Sequence, residues 1–420
     1  MKEFVLKYGK NDLTVRFPDT VDITAVEPQR SEPLSDAETA LRNALREPIA
    51  KIPLADCAAS VTEGKIGIIF NDITRATPSR MMLPVILNEL AGVDPSRIIL
   101  FDALGTHRPN TREELTAMLG EEIVRKYRIV QNDCNDRATQ KYLGKTSFGH
   151  EIWINREAAE CGLLILTGFI EPHFFAGFSG GGKAVMPGMA GAETIFHNHS
   201  AEMIASDNAS WGITYGNPIW EEIQEVAESA GDLFLVNITM DKDHQITGVF
   251  CGNLREAHRE GAAFVKKYAM APVQEAFDAV ITTNSGYPLD MNLYQSVKGM
   301  SAAARIAKPG APIIIAAECS DGIPDHGLFR QMLQDFDSPR EVYDHIMNND
   351  RIEQDQWQIQ ILAKILLEHP VYVYSALDDE LIRDCMMIPT HDIPETVCQT
   401  APGGSVCIMP QGPLTIPYIR

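Results

Sequence analysis

The first residues alternate. Phe4 and Leu6 exchange with polar neighbours, Gly9-Lys10-Asn11-Asp12 supplies a turn, and Leu13, Val15 and Phe17 alternate again, which predicts a hairpin with one buried face. A Pro-rich connection from Pro28 to Pro33 follows, and the pattern then changes. Short, continuously apolar runs stand at Ile66–Phe70, Ile98–Phe101, Leu163–Thr167, Leu233–Ile238, Ala279–Thr283, Ile313–Ala317, Val371–Tyr374 and Val406–Met409, with helical stretches between them. Strands apolar on both faces that alternate with helices predict an α/β fold with largely parallel sheets flanked by helices. Arg255–Lys267 reads as a helix that Ala271-Pro272 ends, and a strand begins near Phe277. The expected division is a domain of residues 1–268 and a smaller one of 269–420, with the active site in the cleft between them.

Composition narrows the partners. The chain has 420 residues, 45% of them apolar and 22% charged, enough for cores that need no disulfide or metal staple. Against 57 Asp+Glu stand 36 Lys+Arg, a net charge of −21 with no basic run, which excludes nucleic acid and an anionic membrane surface as partners. Eight cysteines without a Cys-x-x-Cys pair argue against a zinc ribbon and for buried thiols in a reducing compartment. Residues 1–10 carry no apolar signal core, and no apolar run reaches the roughly 18 residues of a spanning helix, so the expectation is a cytoplasmic protein. Any anionic ligand must be met by a local positive site built against the global field.

In open α/β sheets that site lies beyond the carboxyl ends of the strands. There the sequence places Asp72-Ile73-Thr74-Arg75, then Gly105-Thr106-His107-Arg108, then Glu171-Pro172-His173 running on to Gly177-Phe178-Ser179-Gly180-Gly181-Gly182-Lys183. A fourth strand leads to a helix in which Tyr294 and Gln295 precede Lys298 by four and three residues, so the three can address one ligand. Consecutive glycines suit a phosphate cradle, but Ala184 stands where a P-loop needs Ser or Thr for magnesium, which counts against a nucleotide-triphosphatase. His197 and His199 are two apart and cannot share a helix face, so at most one is expected to bind a metal such as zinc, copper or nickel. Taken singly, Asp72 with Arg75 is an ordinary surface pair, His107 and His173 are ordinary structural histidines, and Lys298 is a solvated lysine. Their common position after strand ends is what argues for a site. Trp357, Ile361, Ile365 and Leu366, at helical spacing, read as core packing.

The stretch Pro172 to Lys183, followed by Met186-Pro187-Gly188 and set among the three other motifs, resembles the nickel-dependent lactate racemases and their 2-hydroxy-acid racemase and epimerase relatives. The similarity runs along nearly the whole chain, with a departure at Gly182, where lactate racemases proper are expected to carry Arg. The resemblance implies a covalently attached nickel pincer nucleotide, supplied by cofactor-synthesis proteins. It implies Lys183 as the tether, His199 as the nickel ligand, and His107 and His173 as paired acid/base residues. Asp72, Ile73, Thr74, Arg75, Gly180, Gly181, Tyr294, Gln295 and Lys298 then hold the cofactor, and Arg75, Lys298 and Tyr294 also meet the small anionic substrate. The implied reaction inverts C2 of lactate or another 2-hydroxy acid by hydride transfer. Other substrates on this reading are malate, 2-hydroxyglutarate, larger aliphatic or aromatic hydroxy acids, or a sugar acid. The remaining alternatives are a nucleotide-dependent enzyme using the Gly-rich loop and a non-catalytic cofactor-binding protein.

Overall fold

In the computed structural model, which describes residues 1–324, 327–349 and 351–420, the first two strands, β1 (Lys2–Tyr8) and β2 (Asn11–Phe17), form the expected hairpin, Tyr8 opposite Asn11. The next strand, β3 (Asp22–Ala25), leaves the hairpin for a distant sheet. Residues 66–252 build the first large sheet from β4 (Ile66–Asn71), β5 (Ile98–Ala103), β6 (Arg128–Gln131), β9 (Leu163–Phe169), β12 (Leu233–Met240) and β13 (Ile246–Gly252). Their order is β13-β12-β9-β4-β5-β6, and every neighbouring pair is parallel except β12 with β13. A hairpin of β7 (Gln140–Lys145) and β8 (Glu151–Asn155) lies apart from it.

Burial on both faces explains the continuous apolar runs. Ile66, Ile68 and Phe70 of β4 pack with Leu41 and Leu45 of helix Ala37–Arg46 and with Met82 and Leu83 of helix Ser79–Glu89. Ile69, Phe101, Leu164 and Leu166 face the other way, toward Ile223 of helix Pro218–Ser229 and Ala257 of helix Leu254–Ala269.

The second large sheet consists of β15 (Ala279–Thr283), β16 (Ile313–Ala316), β17 (Val371–Tyr374), β18 (Ile388–Pro389), β19 (Ser405–Met409) and β3, and it is parallel throughout. All eight apolar runs are strands of these two sheets. The pair β14 (Met270–Val273) and β20 (Ile416–Ile419) runs parallel beside them, and the helix read at 255–267 spans Leu254–Ala269.

The beginning of the chain sits elsewhere than the division at 268 placed it. Strand β3 pairs with β19, Ile23 opposite Val406, and Leu6, Val15 and Phe17 of the hairpin pack on Ala279, Ile281 and Ile314. Residues 2–25 thus complete and cover the C-terminal sheet. The reason this was hidden is local: Asp22-Ile23-Thr24-Ala25 is short, largely exposed and has no apolar run, so only its distant partner makes it a strand. The apolar core is continuous from Ile69 and Leu166 in the first half to Val280 and Ile313 in the second. Among the described residues no helix is long and apolar enough to cross a membrane.

Candidate active site

The loops after β4, β5 and β9 converge with the helix Leu293–Ala304 on one cleft, lined by Asp72, Arg75, His107, Glu171, His173, Gly180, Lys183, His199, Tyr294, Gln295, Lys298 and Trp357. Asn292 caps that helix by accepting from the Gln295 N–H, which fixes the turn carrying Tyr294, Gln295 and Lys298.

Asp72 is buried at the end of β4 and accepts from His107 Nδ1 at 2.7 Å and from Thr74 Oγ1 at 3.0 Å. Burial pushes its carboxyl up, but the His107 hydrogen bond and charge, with help from Arg75 and Thr74, outweigh that and hold it below the usual range. With Nδ1–H committed to Asp72, His107 has its Nε2 available to a substrate.

His173 is the opposite case. The strands β10 (Pro172–His173) and β11 (Gly177–Phe178) form a tight hairpin in which the Ala176 N–H donates to His173 Nδ1 at 3.2 Å. An accepting Nδ1 places the ring proton on Nε2. Burial first, then Lys183, Lys298, Arg75 and His199, lowers the His173 pKa well below the imidazole range. The ring is packed edge-on against Phe175, with centroids 4.5 Å apart.

Lys183 follows in the turn Gly181–Ala184, its Nζ 5.7 Å from the Phe175 ring centroid. Burial, then Arg75 and Lys298, brings its pKa down to about 7, so much of it is free amine near neutrality. Burial and Arg75 lower Lys298 to about 8, against the pull of Glu171. His199 ends the helix Ala192–Asn198; its Nδ1 donates to the Ile195 carbonyl at 2.9 Å, and its ring stands edge-on to Phe175 and Trp357. Burial and the Lys183 charge lower its pKa to about 3, leaving Nε2 unprotonated, the form that binds metal. His197 stays out of this cleft and stacks on His150.

Several predicted residues lie elsewhere. Ile73 is 39% exposed and does not line the cleft. Thr74 does not line it and meets it indirectly, through Asp72 at 3.0 Å and His107 Nδ1 at 3.5 Å. Gly181 turns its N–H away, donating to Asn237 Oδ1 at 2.7 Å, and a Cβ there would stand 2.7 Å from the His258 ring. The glycines therefore serve close packing more than anion cradling: Gly177, at φ +76°, would put a Cβ 2.0 Å from the Ile213 carbonyl oxygen. Gly182 faces the helix Pro218–Ser229, where a Cβ would meet the Ile223 carbonyl at 3.0 Å, so the departure from Arg does not border the cleft. The turn at Lys183 is four residues of 3₁₀ helix, without the long helix whose N-terminus a P-loop uses.

Trp357 and Glu171 are among the lining residues that sequence reasoning left without a role. Trp357, read as core, donates from Nε1 to the Tyr294 hydroxyl at 3.1 Å and touches the His199 ring; its helical spacing signalled burial but not what would face it. Glu171, in the loop after β9, is raised by burial against the opposing charges of Lys298, Arg75 and His244. Its place between cations on different loops has no local signal. Among the described residues no three His, Cys, Asp or Glu side chains converge to hold a metal by themselves.

A family model for the lactate racemase N-terminal domain matches residues 8–212, and one for the lactate racemase C-terminal domain matches residues 273–412. The chain is 38% identical over 405 residues to a lactate racemase of Thermoanaerobacterium thermosaccharolyticum, covering 94% of both proteins. To a lactate racemase of Lactiplantibacillus plantarum it is 39% identical over 389 residues, 91% of both. The solved structure of the Thermoanaerobacterium thermosaccharolyticum lactate racemase apoprotein superposes with a TM-score of 0.93 at 35% identity, covering 99% of this chain and 100% of that one. A crystal structure of a Thermotoga maritima protein shares the fold at a TM-score of 0.72 and 15% identity, over 93% of this chain and 100% of that one.

Proposed function

Because the chain belongs to the lactate racemase family and is an isomerase, we propose that it inverts C2 of a 2-hydroxy acid, lactate in the first instance, with His107 and His173 as the acid/base pair. The observation that carries this reading is the pair of opposite tautomers in one cleft. His107, held by Asp72, offers an accepting Nε2, whereas His173, held by the Ala176 N–H, offers a donating Nε2–H. One histidine takes the hydroxyl proton of one enantiomer and is left protonated, and the other gives its ring proton to the same oxygen of the inverted acid and is left a proton short. The reverse reaction or exchange with solvent restores both. Arg75 grips the substrate carboxylate with a planar fork, and Lys298 adds a second charge from across the cleft.

A nickel pincer nucleotide fits this chain's donor set. Lys183 has the uncharged amine that a covalent tether needs, and His199 presents one neutral Nε2 as a single protein ligand. The lack of any three-residue metal cluster among the described residues agrees with nickel taking its other ligands from an organic group. When bound, that group supplies a reversible hydride acceptor for C2, so that the chain need not stabilise a carbanion beside a carboxylate. Gly180, Tyr294, Gln295 and Lys298 line the cleft and would hold it, and cofactor-synthesis proteins would be the partners needed for loading. The cysteines, all eight free and seven of them buried, suit the reducing cytoplasm.

The test is to express the chain with the cofactor-synthesis proteins, measure its intact mass and nickel content, and follow the conversion of L- to D-lactate. We expect an adduct, nickel and racemisation in the wild type, and loss of all three in Lys183→Ala. An unmodified wild-type mass after full maturation overturns the tether. A panel of chiral 2-hydroxy acids then ranks lactate against larger or dicarboxylic substrates.

A further inference from the structure

Behind the Asp72–His107 pair lies a second carboxyl that the mechanism above does not use. Asp102, near the end of β5, is completely buried on the face shared with Ile98 and Leu100. Its Oδ2 accepts from Asn110 Nδ2 at 2.7 Å, and its Oδ1 is buried with no partner among the described residues. An ionised carboxylate with an unsatisfied oxygen on an apolar face is costly, and protonation relieves that cost.

Two features tie it to His107. The first is mechanical. The Asp102 carbonyl accepts from the Leu104 N–H at 3.0 Å while its side chain holds Asn110, so one residue grips both ends of the loop that carries His107. Gln131 of β6 clamps Asn110 from the other side, accepting from its N–H at 2.6 Å and donating to its carbonyl at 3.0 Å. The second is electrostatic. Register pairs Phe70 with Asp102 and Asn71 with Ala103, so Asp72 leaves the neighbouring strand on the same face, one step further along. The charged groups that reach Asp102 are Asp72 and Glu114, both acidic, and Glu114 of helix Arg112–Leu119 is tied to Arg108 at 2.7 Å.

We infer that Asp102 is a positioning residue for His107, which pins the His107 loop through Asn110 and places a second carboxyl behind Asp72. Burial pushes the Asp102 carboxyl up to about 7, with Asp72 and Glu114 adding to the rise and Asn110 opposing it. Below that pH Asp102 is neutral and only fixes the loop. Above it a second negative charge stands beside Asp72 and stabilises the imidazolium that forms when His107 takes a proton. The inference rests on the racemase reading for its catalytic consequence but not for its titration.

Two experiments test it. In matured enzyme, the acid limb of the pH profile of kcat/KM is compared between wild type and Asp102→Asn. We expect the limb to move to lower pH by about half a unit or more, and Asn110→Ala, which frees the loop, to lower kcat with KM little changed. A superimposable limb in an active Asp102→Asn enzyme overturns the electrostatic role. The second measurement needs no cofactor: NMR titration of the His107 ring in the unloaded, histidine-labelled chain, wild type beside Asp102→Asn. Coupling to Asp102 predicts a second inflection that Asp102→Asn removes; a single step in the wild type, or a second inflection that persists in the variant, overturns the inference. A wild-type enzyme that fails to racemise any hydroxy acid while His107 shows two inflections counts against the function and not against Asp102.

Discussion

At the level of single residues, the candidate site fixes where the histidine ring protons sit. Asp72 accepts from His107 Nδ1, so Asp72→Asn should spoil the tautomer and orientation together. The expected outcome is a fall in kcat of about 10²- to 10⁴-fold with the Lys183 adduct retained, read from initial rates and intact mass. Lys183 gives a pH prediction with a definite sign. Its pKa is lowered from 10.5 to about 7, so in the unloaded chain its acylation by an amine-directed reagent should level off just above pH 7 while exposed lysines keep gaining reactivity. Peptide mass mapping across pH reads this directly. The same shift bears on stability, because the folded chain binds this proton more weakly than the unfolded one. Lys183→Met should therefore raise the melting temperature at pH 6, with the gain shrinking as pH climbs from about 7 toward 10.5. Glu171 and Trp357 show the limit of reading residues singly. Each looked ordinary in the sequence and acquired a neighbour from another loop or helix only when the chain folded.

At the level of elements, strand ends made the site legible. Continuous apolar runs fixed where strands stop, and polar residues just beyond them could be gathered without knowing the fold. The glycines were harder, since a run of them signals either a cradle or tight packing. Here Gly177 must keep φ +76° with its Cα against the Ile213 backbone, whereas Gly64, at φ +91°, has open space around it. Gly64→Ala should cost about 1–2 kcal/mol for the left-handed backbone alone. Gly177→Ala adds a backbone clash at 2.0 Å and should cost more than that and disturb the hairpin holding His173. Urea unfolding of the two variants side by side separates backbone strain from the clash.

For the whole molecule, the opening hairpin and β3 cap a sheet built from the far end of the chain. Deleting residues 1–26 should expose the face formed by Ala279, Ile281, Ile314, Val406 and Ile408 and leave β19 as an open edge. Hydrogen exchange should then show lost protection in β15 and β19 with β4 and β9 still protected; equal loss in both sheets counts against separable halves. Acidity works at the same scale. The chain carries a net charge of −21, and Arg75, Lys183 and Lys298 meet in the cleft to oppose it locally. By itself the sequence determined the fold class, the eight central strands, the Asp72, His107, His173, Lys183 and Lys298 loops, and the family. These rest on periodicity and local motifs, which a chain carries in its own order. Only the tertiary structure decided that β3 joins β19, that Gly181 and Ile73 turn from the cleft, which nitrogen of each histidine is free, and that Asp102 stands behind Asp72. Those depend on contacts between residues remote in sequence, and on hydrogen bonds that exist only once both partners are in place.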